Sequence, residues 1–267
     1  MITSAVERQH IIDQLDKNRR SGGRGKNEFR DIRIETNVIG TANGSAIVHI
    51  GKTKVIAGVK AVIGTPYSDA PNKGSIMVGF ETSPLSAPEY RYGPPQDEAI
   101  EIARMTDRVI RESGCIDLEA LCIKEGEKVW TIIIDLYSLD HYGNFYDAAA
   151  LAAIAALSCT TIPEVTIDDD GNVEQLETSY PLKLNSFPVT VTTSKIGNHY
   201  LVDANLKEEK TAEARITFGT TDTHIVSGQK GGEMGIKSAD ILTILEDSIR
   251  TASLIREQVR EQLGLEE

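Results

Sequence analysis

Runs in which apolar and polar residues alternate predict two groups of short strands along the chain. The first group covers 46–50, 53–64, 75–80 and 129–139, and the second covers 187–197, 198–204, 214–220 and 223–228. The run VWTIIIDLYSL at 129–139 is apolar on both alternating sets of positions, which is typical of a strand buried on both faces. Two turn signals, Asn43-Gly44 and Gly51-Lys52, separate the first strands.

Helical patterns accompany the strand groups. A first helix begins at Ser4, which forms a capping-box pair with Glu7. A second runs from Pro95 to Ser113, and DAAALAAIAAL at 147–157 is apolar nearly all round, which predicts a helix buried in the core. An amphipathic helix over about 238–263 closes the chain. Strands followed by helices, twice over, predict an α+β (mixed α/β) fold in two related halves.

Composition describes an ordinary globular protein, with 40% hydrophobic and 25% charged residues. No stretch approaches the ~18 apolar residues of a membrane span, and the first residues lack the apolar core of a signal peptide. We therefore expect a cytoplasmic protein without a membrane partner. The three cysteines and five histidines show no metal-ligand spacing, so we predict neither a metal site nor a cofactor.

The net charge of −12 argues against a protein that binds nucleic acid on its own. RNA is a polyanion, and most of its sequence-independent affinity for proteins comes from Lys and Arg. Any contact with RNA therefore requires a local basic patch, assisted by a partner.

Three segments resemble one known family. The segment 20–66 is similar to the opening signature of RNase PH-type proteins, with its Gly-Ser hairpin and a Gly-x-Thr-x-Val strand. The segments 93–123 and 128–144 resemble the non-catalytic ring subunit of archaeal exosomes more than its active partner. The resemblance extends from about Arg19 to Leu263.

This resemblance implies an RNase PH-like fold and a non-catalytic role in the archaeal exosome, a complex that degrades RNA from 3′ to 5′. The implied partners are a catalytic RNase PH-like subunit, with which the chain forms heterodimers in a hexameric ring, RNA-binding cap proteins, and RNA. We divide the chain into an N-terminal helix and basic linker at 1–28, an N-terminal half at 29–165, a connection at 166–186 and a C-terminal half at 187–267.

The family's phosphate site is the first test of catalysis. The resemblance implies that active relatives hold phosphate at a helix N-terminus with backbone N–H groups, an arginine and a hydroxyl residue. The corresponding segment 143–147 (GNFYD) has no arginine and carries Asp147 in place of the serine. We expect Asp147 to cap the helix and to repel an incoming anion by about 1 to 4 kcal/mol.

The acidic residues of the site are the second test. Active relatives carry two aspartates six residues apart after a Leu-Asp strand. Alignment on Asp203, with 201–215 taken as a strand, puts Glu209 and Arg215 at those positions. Because an arginine cannot accept a proton as a carboxylate does, we predict no catalytic residues. An active phosphate-dependent 3′-to-5′ exoribonuclease or nucleotidyltransferase is the alternative, and a stand-alone RNA-binding protein is a third.

Three arginines of the second helix are the candidate RNA contacts. At 100° per residue, Arg104, Arg108 and Arg111 fall within about 60° of one another, opposite the apolar face. The i,i+4 pairs Asp107–Arg111 and Arg108–Glu112 favour an ordinary solvated face instead. The resemblance implies that this helix supplies arginines to the RNA path, which favours RNA contact.

Two further basic features are weaker candidates for RNA contact. One is Lys73, in a loop rich in proline and glycine. The other is a cluster at the end of the first helix, a candidate contact with RNA or with the neighbouring subunit, formed by Lys17, Arg19, Arg20, Arg24 and Lys26.

Overall fold

The computed structural model describes residues 5–20, 22–168 and 173–265, which form an α+β fold. The elements in chain order are α1 Ala5–Asp16, β1 Ile32–Thr36, β2 Gly44–Ile50, β3 Thr53–Gly64, β4 Ser75–Glu81, α2 Asp97–Glu112, β5 Cys122–Lys124, β6 Lys128–Asp140, α3 Phe145–Ser158, β7 Thr161–Ile167, β8 Val173–Pro181, β9 Val189–Ile196, β10 His199–Val202, α4 Leu206–Thr211, β11 Ala214–Thr220, β12 Ile225–Gly231 and α5 Ser238–Leu263. The predicted cap Ser4 lies outside the described residues.

The first sheet has the strand order β1-β2-β3-β6-β4, with β5 beside one end of β6. All pairs are antiparallel except β4 with β6. Ile50 faces Thr53, which confirms the predicted turn at Gly51-Lys52. The other turn signal was misplaced, because Gly44 already pairs with Val59 inside β2.

Gly44 has a packing role instead of a turn role. A Cβ atom at this position would lie 2.2 Å from Thr160 Oγ1 and 2.5 Å from the carbonyl oxygen of Ala156. Only glycine therefore lets β2 approach the end of α3 this closely.

Strand β6 is buried on both faces only in its first half. Residues 129–134 are buried or nearly so, as predicted, but Asp135 and Tyr137 are exposed. In its second half, exposed residues therefore alternate with buried ones, and only one face of the strand packs on the core.

Helix α3 lies between the two sheets. Every residue from Phe145 to Leu157 is buried, which confirms the predicted core helix. The helix packs against β2 and β3 on one side and against β9 on the other. Its many alanines have small side chains, so both sheets can approach its axis.

The second sheet is antiparallel throughout, in the order β10-β9-β11-β12. Helix α5, at Ser238–Leu263 as predicted, packs against β9 and β11 and also against β1 of the first sheet. It therefore joins the two halves on the outside, as α3 does on the inside. The division into domains stays a prediction.

The segment between β10 and β11 differs from the prediction of one strand over 201–215. Leu206–Thr211 forms the short helix α4, which begins with a capping box between Asn205 and Glu208. The pattern missed this helix because six residues are too few to show a helical period.

Strands β7 and β8 form a hairpin that includes part of the predicted connection 166–186, and β8 is almost entirely exposed. Among the described helices, none combines the length and apolar character needed to cross a bilayer.

Candidate functional site

Helix α2 presents one apolar and one basic face. Its acidic first turn, at Asp97 and Glu98, suits the positive end of the helix dipole. The buried residues recur at helical spacing and are Ala99, Ile102, Met105, Thr106, Val109 and Ile110. The three predicted arginines are exposed on the other side, where they line one shallow groove of about 270 Å³ together with Asp107 and Glu112.

The three arginines differ in how firmly the chain itself holds them. Arg111 pairs with Asp107 at 2.7 Å and donates to the carbonyl of Ile76, and the bond to Asp107 raises the pKa of Arg111. Arg108 makes one bond of 3.3 Å to Gln229. Arg104 has no partner among the described residues. Arg104 and Arg108 are therefore more available to an outside anion than Arg111.

The start of α3 is capped by Asn144 and not, as expected, by Asp147. Asn144 adopts the left-handed conformation at φ 62°, and its side chain accepts a bond from the backbone N–H of Asp147. Asparagine is among the residues that best tolerate this conformation and best cap helices, so Gly143-Asn144 was a usable sequence signal.

Asp147 faces the interior of the protein. Its carboxylate accepts bonds from the side-chain amide of Asn144 at 2.8 Å, and from the backbone N–H and the hydroxyl of Thr192, both at 2.9 Å. Burial raises the pKa of Asp147 from 3.8 to about 6, against the opposing effect of these bonds. Asp147 thus joins α3 to β9, and it does not block the helix end from outside.

Glu209 is the anion at the helix end. Its Oε2 accepts the backbone N–H of Asn144 at 3.0 Å, which brings α4 against the start of α3. Burial raises the pKa of Glu209 to about 7, and the nearby charge of Glu98 adds to this. An internal carboxylate therefore occupies the position at the α3 N-terminus that suits an external anion.

Asp203 is a structural hub. It is fully buried, and its backbone has φ 50°. Its carboxylate accepts hydrogen bonds from Arg30 at 2.6 Å, from Arg24 at 2.8 Å and from the side-chain amide of Asn144 at 2.8 Å. Burial opposes its ionisation, but the bonds and charge of Arg30 outweigh this and hold the pKa of Asp203 below its usual value. With its oxygens occupied, Asp203 has no free acceptor for chemistry.

Arg215 is paired in place. It forms an ion pair and hydrogen bond with Glu101 of α2, bonds the hydroxyl of Tyr146, and lies 4.3 Å from the centroid of that ring. Glu101 also accepts a bond of 2.8 Å from Gln229, which in turn holds Arg108. A continuous series of contacts thus connects Arg215 to the exposed Arg108.

The cluster after α1 is largely structural. Arg20 is buried, pairs with Glu208 at 3.0 Å and donates to several backbone carbonyls, so its prediction as an RNA contact is wrong. Lys26 lies 3.2 Å from His199. Lys17 and Arg19 are exposed.

Lys73 lies in its loop 3.5 Å from Glu119, and both side chains are about half exposed. In the described part of the chain, no group of three or more His, Cys, Asp or Glu side chains is arranged to hold a metal ion.

Sequence reasoning missed four residues of this site. Asn144 had a signal in its sequence context, as described above. Arg30, Glu101 and Gln229 had none, because each acts on a partner more than 100 residues away.

Comparison with family models identifies both halves. Residues 28–163 match domain 1 of the 3′ exoribonuclease family (RNase PH), and residues 186–251 match domain 2. The two matches follow one another in the order of the family.

Relatives at full length agree with this assignment. The chain is 42% identical over 265 residues to the exosome complex component Rrp42 of Thermococcus kodakarensis, covering 98% of this chain and 97% of the relative. It is 40% identical over 259 residues to the protein of the same name from Methanopyrus kandleri, covering 97% and 96%.

Solved structures give the same result. A chain of the Archaeoglobus fulgidus exosome, solved with RNA bound to the active site, matches with a TM-score of 0.88 and 41% identity over 95% of this chain and 97% of that one. Rice Rrp46, at 20% identity and a TM-score of 0.70, shares the fold. These matches confirm the RNase PH-like fold and the resemblance seen in the sequence. The chain belongs to the 3′ exoribonuclease (RNase PH) family.

Proposed function

We propose that this chain is the non-catalytic RNase PH-like subunit of an archaeal exosome. In this role it pairs with a catalytic homologue in a hexameric ring that also carries RNA-binding cap proteins. Support comes from relatives of nearly equal length that are named exosome components, and from the similarity to a subunit of an exosome solved with RNA.

One observation carries the non-catalytic part of this proposal. At the start of α3, the chain's own groups already occupy the places that phosphorolysis requires. Glu209 accepts the backbone N–H of Asn144, and Asp203 is enclosed by two arginines. Arg215 is paired with Glu101. An incoming phosphate meets the carboxylate of Glu209 at the helix end, and the groups around Asp203 leave that residue no free oxygen to act as a base.

The test is phosphorolysis by the purified chain. We expect no nucleoside diphosphate from oligo(A) RNA and phosphate with the chain alone, and release once the catalytic partner is added. Size-exclusion chromatography of the two chains together reports assembly. Nucleoside diphosphates formed by the chain alone would support the alternative, an active exoribonuclease.

We further propose that Arg104 and Arg108 contact RNA in the assembled ring, with Arg111 in a lesser role. Arg104 has no partner in the described part of the chain, and Arg108 has one long bond that phosphate can replace. Guanidinium groups in a row suit successive phosphates because each can donate two parallel bonds.

A double variant tests this contact. Arg104→Ala with Arg108→Ala should weaken RNA binding by the ring about tenfold or more. The variant should also make the affinity less dependent on salt: the negative slope of log affinity against log salt should become shallower by about 1.4, because each lost contact with single-stranded RNA accounts for ~0.7. Arg33→Ala with Arg250→Ala removes the same charge from exposed positions elsewhere and is the matched control. Equal affinities in the two double variants would refute the RNA role of α2. Tight RNA binding by the isolated chain, equal to that of the ring, would favour the stand-alone RNA-binding protein.

A further inference from the structure

A second basic region lies apart from α2. A cleft of about 650 Å³ is bounded by the glycine segment after α1, the β2–β3 turn, the residues that follow β6 and the start of α4. Its lining comprises Gly22, Arg24, Arg30, Gly51, Lys52, Tyr142, Asn205, Leu206 and Lys207. Four of these residues are cationic and none is acidic, in a chain whose net charge is −12.

The cluster behind this cleft holds three arginines close together. Arg20, Arg24 and Arg30 share two buried carboxylates, those of Asp203 and Glu208. Burial lowers the pKa of Arg24, and repulsion from Arg20 is the next cause. An external anion beside Arg24 offsets this repulsion.

Hydrogen-bond donors remain for such an anion. All five N–H groups of Arg30 have acceptors, including Asp203, Thr53 and the carbonyl of Gly143. Arg24 donates through Nη1 to Asp203 and to the carbonyl of Glu28, and through Nη2 to the carbonyl of Asp203. Its Nε–H and second Nη2–H have no acceptor within hydrogen-bond distance in the described part of the chain. Arg30 is therefore a fixed support, and Arg24 can bind a ligand.

The two lysines and an aromatic ring complete the lining. Lys52 Nζ lies 5.0 Å from the centroid of the Tyr142 ring, and that side chain is about half exposed. Lys207 lies 3.7 Å from Glu7, in a pair so exposed that a phosphate can replace it. Aromatic rings of this kind stack on bases in proteins that bind single nucleotides or strands.

A neighbouring cavity differs from the cleft in having acidic residues in its lining. It shares Tyr142, Leu206 and Lys207 with the cleft and has a volume of about 380 Å³. Glu89 and Asp140 also line it, so it is unsuited to a phosphate.

We propose that the basic cleft binds one nucleotide, with its phosphate against Arg24, Lys52 and Lys207 and its base on Tyr142. The cleft is large enough for a whole nucleotide, since sites for small ligands measure about 300–1,000 Å³. The nucleotide is either free or part of an RNA strand, and the phosphate and base are common to both. This site is separate from the α2 arginines and does not depend on the proposed function.

The test is calorimetry on the full chain with three probes, namely AMP, the pentanucleotide oligo(A) RNA and inorganic phosphate. The Arg104→Ala, Arg108→Ala background is used for the RNA, so that binding at α2 does not contribute. Lys52→Ala with Lys207→Ala is the test variant. Lys128→Ala is the control, because Lys128 is an exposed lysine at the far end of β6, about 40 Å away along a strand of 13 residues. Thermal melting verifies that each variant is folded.

We expect AMP or the RNA to bind, and to bind roughly tenfold or more weakly to the Lys52, Lys207 variant, with no change in Lys128→Ala. Binding of AMP identifies a free nucleotide as a sufficient ligand, whereas binding of the RNA alone identifies a strand. Tyr142→Ala should weaken the binding of AMP and leave the binding of inorganic phosphate unchanged. The proposal is overturned if neither AMP nor the RNA binds, if the test and control variants behave alike, or if inorganic phosphate binds as tightly as AMP.

Discussion

Asp147→Asn is expected to stabilise the protein at neutral pH. An asparagine at this position can keep the network: its amide oxygen replaces Oδ2, which accepts from Asn144 and from the backbone N–H of Thr192, and its NH₂ group donates to the Thr192 hydroxyl. That hydroxyl is then free to donate to Thr217, 2.9 Å away. The substitution therefore removes a buried charge and keeps a partner for Asn144, for the Thr192 N–H and for the Thr192 hydroxyl.

The size of the effect follows from the pKa of Asp147. Burial raises this pKa from 3.8 to about 6, so the folded state binds the proton more tightly than the unfolded state. The contribution of Asp147 to stability is therefore greatest at acid pH and falls as pH rises through this window. The loss is about 3 kcal/mol in total, at about 1.4 kcal/mol for each tenfold change in proton affinity. About 2 kcal/mol of it falls between pH 4.5 and 7.5.

The assay is urea denaturation followed by the fluorescence of Trp130, the single and buried tryptophan. Unfolding free energies are measured at several pH values from 4.5 to 7.5, at low protein concentration because the net charge of −12 declines on acidification. The quantity of interest is the difference between Asp147→Asn and the unsubstituted chain, because Glu209 and other groups titrate in both and cancel. Asp69→Asn, at an exposed loop position, is the control.

We expect the difference in unfolding free energy to grow by about 2 kcal/mol in favour of Asp147→Asn as pH rises from 4.5 to 7.5. Asp69→Asn should show no such trend. A difference that stays constant with pH would mean that Asp147 is not a buried, ionising carboxyl, and the interpretation of this network would fail.

Three further predictions concern stability and RNA contact. Arg20→Ala should cost about 3–5 kcal/mol of unfolding free energy, because it leaves a buried carboxylate without its partner, whereas Arg19→Ala should be nearly neutral by the same denaturation assay. Gly44→Ala should cost about 1–3 kcal/mol through overlap with the end of α3, and Gly235→Ala, with open space around it, less than about 0.5 kcal/mol; equal losses would contradict the packing role. Gln229→Ala should strengthen RNA binding by the ring about two- to threefold, because Arg108 no longer gives up its bond to Gln229 when it binds phosphate, and it should have no effect in a chain that already lacks Arg108.

The fold was largely predictable from the sequence because its main elements are long and strongly patterned. Helix α3 was recognisable from an apolar run on all sides, and α5 from its amphipathic period. The short helix α4 was not, although the spacing of Asn205 and Glu208 is itself a capping-box signal.

The site was predictable only in part. The arginines of α2 share one helix, so local periodicity brought them together correctly. The network around Asp203 joins residues up to 183 positions apart, and no local pattern reports such pairs. For the same reason the expected role of Asp147 fell to two other residues, Asn144 as the cap and Glu209 as the anion at the helix end.

The complete burial of α3 has a consequence for how the protein folds during its synthesis on the ribosome. The helix needs β2 and β3 on one side and β9 on the other, and β9 begins 31 residues after Ser158. Until β9 is available, the apolar face of α3 that packs against it is exposed on the nascent chain. The part of the chain before β9 therefore forms an aggregation-prone folding intermediate. A chain truncated before β9 should aggregate instead of folding into a separate stable unit.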